Sequence, residues 1–366
     1  MKNKNIDNEN FDLSLYDYNL PSDRIALEPA KPRDFSKLMV YNTQKDEIIF
    51  DIFYNLQKYL DENYFLVFNQ TKVLPARVNL FKKTGGKIKI LLLLNEKINE
   101  IKKNKIKEIR GIVNKEIRLN EKLYFDPKDE NNYLIPIKQE KNIFTFKVVT
   151  EDFLILLKKM GEVPLPPYLK RTHLNQDELR RKYQSIFAKK IGSIAAPTAS
   201  FHFTRRVLKR LKSKKINFCF ITLHVGLATF TPLNDEFLRK KKLPLEYWEI
   251  DLKNYKKIKK LKKENKKLVA VGTTTTRMLE SLVRKKIKAN KKIIFGQTDL
   301  FIMPPFKFKI VDALITNFHL PRSSLMMLVE AFLQFKKSPK NLKELYQIAI
   351  DNDFRFYSFG DAMLII

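Results

Sequence analysis

The pattern that most limits the fold is a run of short β-type segments early in the chain. Between residues 72 and 150, short apolar runs alternate with polar, lysine-rich turns; they include Lys87–Leu94, Glu108–Val113, Tyr133–Ile137 and Phe144–Val149. Strands this short and this closely spaced are typical of a small antiparallel barrel. Because the pattern changes on both sides of this stretch, we predict that the barrel interrupts a larger domain.

The flanking segments alternate between strand-like and helix-like patterns. Apolar runs predict buried strands at Leu38–Tyr41, Tyr64–Asn69, Asn217–Thr222 and Lys267–Val271. Helical periodicity is found at Glu151–Met160, with Gly161 as its cap, and at Thr204–Lys214, Arg277–Lys286 and Ser323–Phe335. Such alternation indicates an α/β fold. We therefore predict a discontinuous α/β catalytic domain, residues 1–71 and 151–366, interrupted by an antiparallel β-barrel domain at residues 72–150.

Composition excludes several classes of protein. Hydrophobic residues make up 44% of the 366 residues, which is enough for a substantial core. Cys219 is the single cysteine, so neither a disulfide framework nor a cysteine-ligated metal centre is predicted. The chain has no apolar stretch of about 18 residues, and Met1–Asn10 lacks the apolar core of a signal peptide. We expect no membrane span and a cytoplasmic location.

The formal net charge of +31 has two explanations. A strongly basic protein is suited to a polyanion, most simply a nucleic acid. Lys, Asn, Ile and Phe are all abundant, however, and a genome rich in A and T would spread lysine over every solvated face in the same way. Charge alone leaves both explanations open.

Three of the four histidines lie beside apolar runs, at His202, His224 and His319. Histidine is the side chain best suited to proton transfer near neutral pH, although a single buried histidine is more often structural. The chain lacks His-x-His and His-Glu-x-x-His motifs, so we predict no metal site. Convergence of the three histidines on zinc remains the alternative.

Two further segments could bind charged groups. Thr273-Thr274-Thr275-Thr276-Arg277 follows a predicted strand, and free backbone amides at such a helix start suit a carboxylate or phosphate. Threonines also simply cap helices. Arg355 and Asp361 lie among aromatics near the C-terminus, where they could hold a ligand or form a buried ion pair. The stiff segment Gly161–Tyr168 could be a domain connection or a wall of a substrate cleft.

Taken together, many segments resemble the S-adenosylmethionine:tRNA ribosyltransferase-isomerases of queuosine biosynthesis. The resemblance spans nearly the whole chain in consistent order: Tyr18–Pro21, Arg33–Val40, Val67–Arg77, Thr84–Leu94, Gly161–Tyr168, Arg181–Thr204, Thr222–Pro232, Val269–Glu280, Thr298–Pro304, Asp312–Val329 and Phe354–Met363. It implies an α/β domain interrupted by a barrel. It also implies transfer and isomerisation of the ribosyl group of S-adenosylmethionine onto 7-aminomethyl-7-deazaguanine at the tRNA wobble position. Epoxyqueuosine forms, and adenine and methionine leave.

The resemblance suggests roles for the residues singled out above. We expect His202, His224 and His319 to divide the proton transfers, with Asp312 or Asp361 orienting one of them. Substrate contacts are expected from Thr198, Thr273, Thr274, Thr275, Arg277, Asn317, Arg355 and Asp361. The expected partners are tRNA and S-adenosylmethionine, which acts as co-substrate without a further cofactor. A monomer fits the family.

Several positions differ from the family pattern, including Leu227-Ala228 in place of a small pair after Gly226. Gln70 and Lys72 stand where Asp and Arg are expected, Pro244 stands in place of a histidine, and Pro305 in place of glycine. Two rival functions remain at this point. An RNA methyltransferase would use the same donor, and a non-catalytic RNA-binding protein would need only the barrel and its basic surface.

Overall fold

The computed structural model describes residues 12–113, 115–226, 233, 235–284 and 288–366. The polar segment Met1–Asn10, the end of the predicted helix at residues 285–286, and residues 227–232 of a family-like segment lie outside this part. Within the described residues, no helix is long and apolar enough to cross a membrane.

A ten-stranded mixed sheet forms the main domain. Numbered in chain order, its strands are β1 (Lys37–Asn42), β2 (Glu47–Ile52), β3 (Tyr64–Asn69), β12 (Asn217–Leu223), β13 (Lys242–Asp251), β14 (Lys267–Val271), β15 (Lys288–Ala289), β16 (Ile293–Leu300), β17 (Ala313–Asn317) and β18 (Ala362–Ile365). Their order across the sheet is β15-β16-β13-β12-β3-β14-β17-β18-β1-β2. A short parallel pair, β4 (Thr71–Val73) and β11 (Lys190–Ser193), lies beside this sheet.

The four central strands β12, β3, β14 and β17 run parallel to one another. Their carboxyl ends therefore share one edge, which we call the carboxyl edge. β18 runs antiparallel to β17 and parallel to β1, so the amino ends of β18 and β1 come to this same edge. In open α/β sheets, ligands bind at the edge formed by the carboxyl ends of the strands.

Helices cover both faces of the sheet. The α-helices are α1 (Ile98–Lys102), α2 (Phe153–Met160), α3 (Gln176–Lys182), α4 (Arg205–Ser213), α5 (Asp235–Lys240), α6 (Leu252–Lys263), α7 (Thr273–Leu282), α8 (Ser324–Phe335) and α9 (Leu342–Asp351). Helices α6 to α9 pack into the core on one face. Helix α4 contributes Val207 and Leu211 to a second core on the other face.

Six antiparallel strands close into a barrel between β4 and α2. They are β5 (Arg77–Phe81), β6 (Lys87–Leu92), β7 (Glu108–Val113), β8 (Leu123–Tyr124), β9 (Tyr133–Glu140) and β10 (Ile143–Val149). Their inward side chains form a separate core that also includes Phe153 and Leu157 of α2. The predicted fold class, an α/β domain interrupted by a small antiparallel barrel, is confirmed. The division at residues 71/72 and 150/151 stays a prediction.

One helix begins earlier than the periodicity suggested. Apolar spacing placed a helix at residues 277–286, whereas α7 begins at Thr273, directly after Gly272. The hydroxyls of Thr275 and Thr276 donate to the carbonyls of Val271 and Gly272, so the threonines join the first turn. This early start brings the open amides of α7 to the carboxyl edge.

Gly161 ends α2 where the barrel meets the main domain. Its backbone is extended (φ −79°, ψ 150°), so the left-handed turn that favours glycine is not what requires it. A Cβ there would lie 2.1 Å from the Pro75 carbonyl oxygen and 2.6 Å from the Leu157 oxygen. Glycine is needed because two backbone segments approach each other closely.

We expect Gly161→Ala to lower the free energy of unfolding by about 1–3 kcal/mol, because the clash is with backbone atoms that cannot rotate away. Gly86→Ala is the control, since a Cβ there meets only the Lys82 side chain, at 3.5 Å or more. Its effect should stay within about 0.5 kcal/mol. Urea unfolding of the three proteins measures both changes, and equal midpoints for the two variants would contradict the expectation.

Candidate active site

A narrow cleft lies at the carboxyl edge. The strand ends form one side of it, and loops of the main domain form the opposite wall. Five of the predicted site residues line it: Thr198, Thr273, Thr274, Asn317 and His319. Pro166 and Tyr168 form part of the wall, so the stiff segment before α3 does reach a cleft. The cleft encloses about 100 Å³, whereas pockets for drug-sized ligands are roughly 300–1,000 Å³. A nucleoside-sized ligand would fit only if the walls of the cleft moved apart.

Asn317, the last residue of β17, is the hub of a buried hydrogen-bond chain. Its Nδ2 donates to His202 Nε2 at 3.2 Å, and its Oδ1 accepts from Thr198 Oγ1 at 2.9 Å. Since Nε2 of His202 accepts, Nδ1 carries the proton and donates to Ser36 Oγ at 2.8 Å. Burial, followed by the nearby Arg355 and Arg33, lowers the pKa of His202 to about 3. His202 is thus neutral. It does not line the cleft, but it contacts Asn317, which does.

His319 is the histidine that lines the cleft. Its Nε2 lies 2.8 Å from Thr316 Oγ1. Two tyrosines hold its backbone: Tyr18 donates its hydroxyl to the His319 carbonyl, and the Tyr346 hydroxyl accepts from the His319 amide. Burial lowers the pKa of His319 to about 3. A neutral imidazole is therefore held in fixed position at the cleft surface.

His224 follows β12 but does not line the cleft. Its Nδ1 lies 2.9 Å from Thr71 Oγ1, and its neighbour Val225 lines the cleft instead. A Cβ on Gly192 would come within 2.9 Å of this ring, so the imidazole is tightly enclosed. Burial, with Lys102 and Lys190 nearby, lowers the pKa of His224 to about 3. Of the three histidines, His319 lines the cleft, His202 contacts the cleft residue Asn317, and His224 does neither.

The first turn of α7 supplies the cleft with backbone donors. The first amides of a helix have no intrahelical acceptor, and they make its N-terminus attractive to anions. Thr273 and Thr274 line the cleft, and Asn69 Nδ2 donates to Thr274 Oγ1 at 3.3 Å. Thr275 is fully buried and its hydroxyl binds Val271, so its side chain is not in the cleft.

Arg277 lies one turn further along α7 and does not line the cleft. Its Nη1 donates to Glu246 at 2.5 Å and its Nε to the Leu300 carbonyl at 3.0 Å. Glu246 also accepts from the Gly226 amide. Both side chains are at least 93% buried, so the charge of Arg277 is neutralised inside the protein. The buried Nη2 of Arg277 has no hydrogen-bond partner among the described residues.

Arg355 and Asp361 form an ion pair within the main domain. The Asp361 carboxylate accepts from the Arg355 amide and guanidinium and from the Lys37 amide, and it is 2% exposed. These bonds fit the buried ion pair that the sequence left open as an alternative. Neither side chain lines the cleft, although the Asp361 carbonyl accepts from Asn317 at 3.4 Å.

Asp312 requires a correction. It precedes β17, whereas His319 follows it, so the length of the strand, about 16 Å for five residues, separates them. The Asp312 carboxylate accepts from Lys262 and from the Leu268 amide, both at 2.6 Å, at the opposite edge of the sheet. It orients none of the three histidines.

Several site residues were not predicted from sequence. Tyr346 gave no local signal, because it reaches the site from a segment distant along the chain, whereas Ser36 and Tyr357 lie in family-like segments. Tyr18 could have been found, since it begins a family-like segment. Within the described residues, no group of three or more His, Cys, Asp or Glu side chains is arranged to hold a metal ion.

The buried histidines predict a pH effect on stability. An unfolded histidine binds a proton near pH 6.5, but folded His202 does so only near pH 3. Between these values the unfolded chain binds more protons, so the free energy of unfolding falls as the pH falls, by up to about 1.4 kcal/mol per pH unit for each such histidine.

His202→Gln removes one of these groups. We expect the loss of stability between pH 6 and pH 4 to be shallower in the variant by roughly 1.4 kcal/mol per pH unit. Urea unfolding at several pH values measures the two slopes. Parallel curves for the wild-type protein and the variant would show that His202 is not held neutral.

Comparisons with known proteins show the family of the chain. Residues 13–365 match the family described as queuosine biosynthesis protein. The S-adenosylmethionine:tRNA ribosyltransferase-isomerase of Thermosipho melanesiensis is 42% identical over 356 residues, covering 96% of this chain and 99% of the relative. The protein of the same name from Aquifex aeolicus is 43% identical over 351 residues, covering 96% and 98%.

A solved structure is similar along the whole chain. The crystal structure of S-adenosylmethionine tRNA ribosyltransferase from Thermotoga maritima aligns with a TM-score of 0.51 and 31% identity, covering 96% of this chain and 99% of that one. Together with the match over residues 13–365, these similarities show that the chain belongs to the queuosine biosynthesis protein family.

Proposed function

We propose that this protein transfers and isomerises the ribosyl group of S-adenosylmethionine onto 7-aminomethyl-7-deazaguanine at the tRNA wobble position. The products are epoxyqueuosine in tRNA, adenine and methionine. The names of the relatives support this activity. The observation that carries it is the pairing, in one cleft, of a neutral imidazole on His319 with the open N-terminus of α7. S-adenosylmethionine is the co-substrate.

The N-terminus of α7 is our proposed site for the methionine carboxylate. Its amides are free, and the Thr273 and Thr274 side chains flank them in the cleft. An anion placed there also gains from the helix dipole. Arg277 then has a supporting role, since its bond to Glu246 joins α7 to β13 instead of contacting the ligand.

The chemistry needs a group that can accept a proton inside the cleft. The sulfonium makes the adjacent C5′ protons of the ribose acidic, so a neutral base can remove one. In our proposal Nε2 of His319 donates to Thr316 and Nδ1 holds the lone pair that accepts the proton. The lowered pKa keeps this imidazole neutral over the whole physiological range. Because a general base works best with a pKa near the operating pH, the proposal requires that the burial of His319 be relieved when the cleft widens to admit its substrates.

Two of the predicted histidines would then be positioning residues. His202 holds the Asn317 amide, and Asn317 in turn accepts from Thr198, which leaves the Thr198 oxygen free to accept from a ligand amine. A neutral amine is what must attack the donor. His224 acts at greater distance, by holding Thr71 beside Asn69.

The reacting base must leave the anticodon loop to meet the donor. Enzymes that modify a base commonly draw it out of its stack into a pocket. Because the cleft is smaller than such a base together with its donor, the proposal includes an outward movement of its wall when substrates bind. As a tRNA-modifying enzyme, the protein would act in the cytoplasm, and the family resemblance implies a monomer.

The products provide the direct test of function. Incubation of the protein with S-adenosylmethionine and precursor tRNA should release adenine and methionine and increase the mass of the wobble nucleoside. A methyltransferase would instead release S-adenosylhomocysteine and leave a methyl group on the RNA. Absence of free adenine, with tRNA binding intact, would favour the non-catalytic RNA-binding alternative.

The role of His319 has its own test. We expect His319→Gln to lower kcat for adenine release by about 10²- to 10⁴-fold, because the general base is lost. KM for S-adenosylmethionine should change much less. His173→Gln is the matched control, since this histidine is exposed and lies outside the cleft. Equal kcat values for the two variants would remove His319 from the mechanism.

A further inference from the structure

A second cavity lies on the face of the sheet that α4 covers, and we call it the β12 groove. Its floor includes Phe218 and Phe220 of β12, and its rim carries Lys189, Lys212 and Lys257. Its volume is about 620 Å³, within the range of roughly 300–1,000 Å³ that is usual for small-molecule pockets. Unlike the cleft, it can receive a nucleotide without rearrangement.

The groove exists because the sheet splits at β12. This strand pairs with β13 only at Thr222 and Leu223. Nearer its amino end, α6 satisfies the β12 backbone instead: Asn254 accepts from the Phe220 amide, and Lys257 donates to the Phe218 carbonyl. The side chains of Phe218 and Phe220 are only half-buried, because no neighbouring strand or helix covers them completely.

The chemistry of the groove suits an aromatic anion. The described residues that line it include three lysines and no acidic side chain. Phe220 is stacked on Phe68 with ring centroids 5.8 Å apart, and Phe218 meets the same ring edge-on at 5.7 Å. Rings held in this way offer rigid surfaces for a base, because they lose little freedom when it stacks.

The groove adjoins the cleft along two segments. Tyr183 lines the cleft, and Phe187 and Lys189 on the same segment line the groove. Gln70 lines the groove and directly follows Asn69, which binds Thr274 in the cleft. The two cavities therefore share these two chain segments, which give an RNA strand a route from the cleft to the groove.

We propose that the β12 groove binds a nucleotide that neighbours the reacting one in the substrate RNA. Its base stacks on Phe218 and Phe220, and its phosphates lie among Lys189, Lys212 and Lys257. This inference rests on the proposed function, because it assumes that an RNA enters the cleft. In this proposal the groove recognises the RNA chain, whereas the cleft binds the ribosyl donor.

Two variants test the two parts of this site. Lys212→Glu should raise the Kd for precursor tRNA about tenfold and reduce the slope of log K against log salt by about 0.7–0.9 for each phosphate that the variant no longer neutralises. Phe218→Leu should raise Kd about fivefold or more and leave the salt slope unchanged. KM for S-adenosylmethionine and kcat at saturating tRNA should stay at wild-type values in both.

The matched control is Lys343→Glu, the same charge change at an exposed lysine of α9 on the opposite face of the sheet. It should change Kd less than twofold. The proposal is overturned if Lys212→Glu and Lys343→Glu weaken tRNA binding equally, or if Phe218→Leu binds tRNA as the wild type does.

The test separates the groove from the function. Wild-type protein that releases adenine in the presence of precursor tRNA upholds the proposed function whatever the groove variants do. If these variants then bind tRNA normally, only the groove assignment fails. Thermal unfolding of Phe218→Leu checks that any weaker binding does not reflect a smaller amount of folded protein.

Discussion

The site depends on the Asn317 side chain, because it joins segments that approach the carboxyl edge from different directions. Its amide donates to His202 and to the Asp361 carbonyl, and its oxygen accepts from Thr198. His202, Asn317 and Asp361 are no more than 3% exposed, and an unpaired buried polar group costs about 1–3 kcal/mol. The arrangement is therefore a set of mutually dependent bonds, in which His202 has one permitted tautomer.

Asn69 has the equivalent position at the end of β3. Its Nδ2 donates to the Leu223 carbonyl and to Thr274, while its Oδ1 accepts from the amides of Leu223 and Thr71. Asn69 and Asn317 thus each form hydrogen bonds with backbone groups at the carboxyl edge, where the hydrogen bonds between neighbouring strands end. Asn69 thereby links the start of α7 to the end of β12, whereas Asn317 links the end of β17 to the segment that carries Thr198 and His202.

The sequence was informative about strands and their ends, and less so about side-chain direction. The sequence placed His224 and His319 beside apolar runs, and both do follow parallel strands at the carboxyl edge. Which way each ring then turns depends on neighbours such as Gly192 and Tyr346 that are distant in sequence. Asp312 was expected to orient one of the histidines, but the whole of β17 lies between it and His319. The partner of Arg277 could not be predicted, because Glu246 comes from another strand.

The net charge of +31 did not by itself locate an RNA surface, since many lysines have carboxylate partners. Lys262 binds Asp312, Lys340 binds Asp46, and Lys190 binds Glu249. Such pairs cancel locally and attract little of a polyanion. The described lining of the β12 groove differs because it contains three lysines and the half-buried rings of Phe218 and Phe220, and no carboxylate. Compositional drift can add lysine to any face, but it does not explain the combination of an opened sheet, rigid rings and uncompensated cations beside the cleft. It is this local combination, and not the total charge, that favours RNA there.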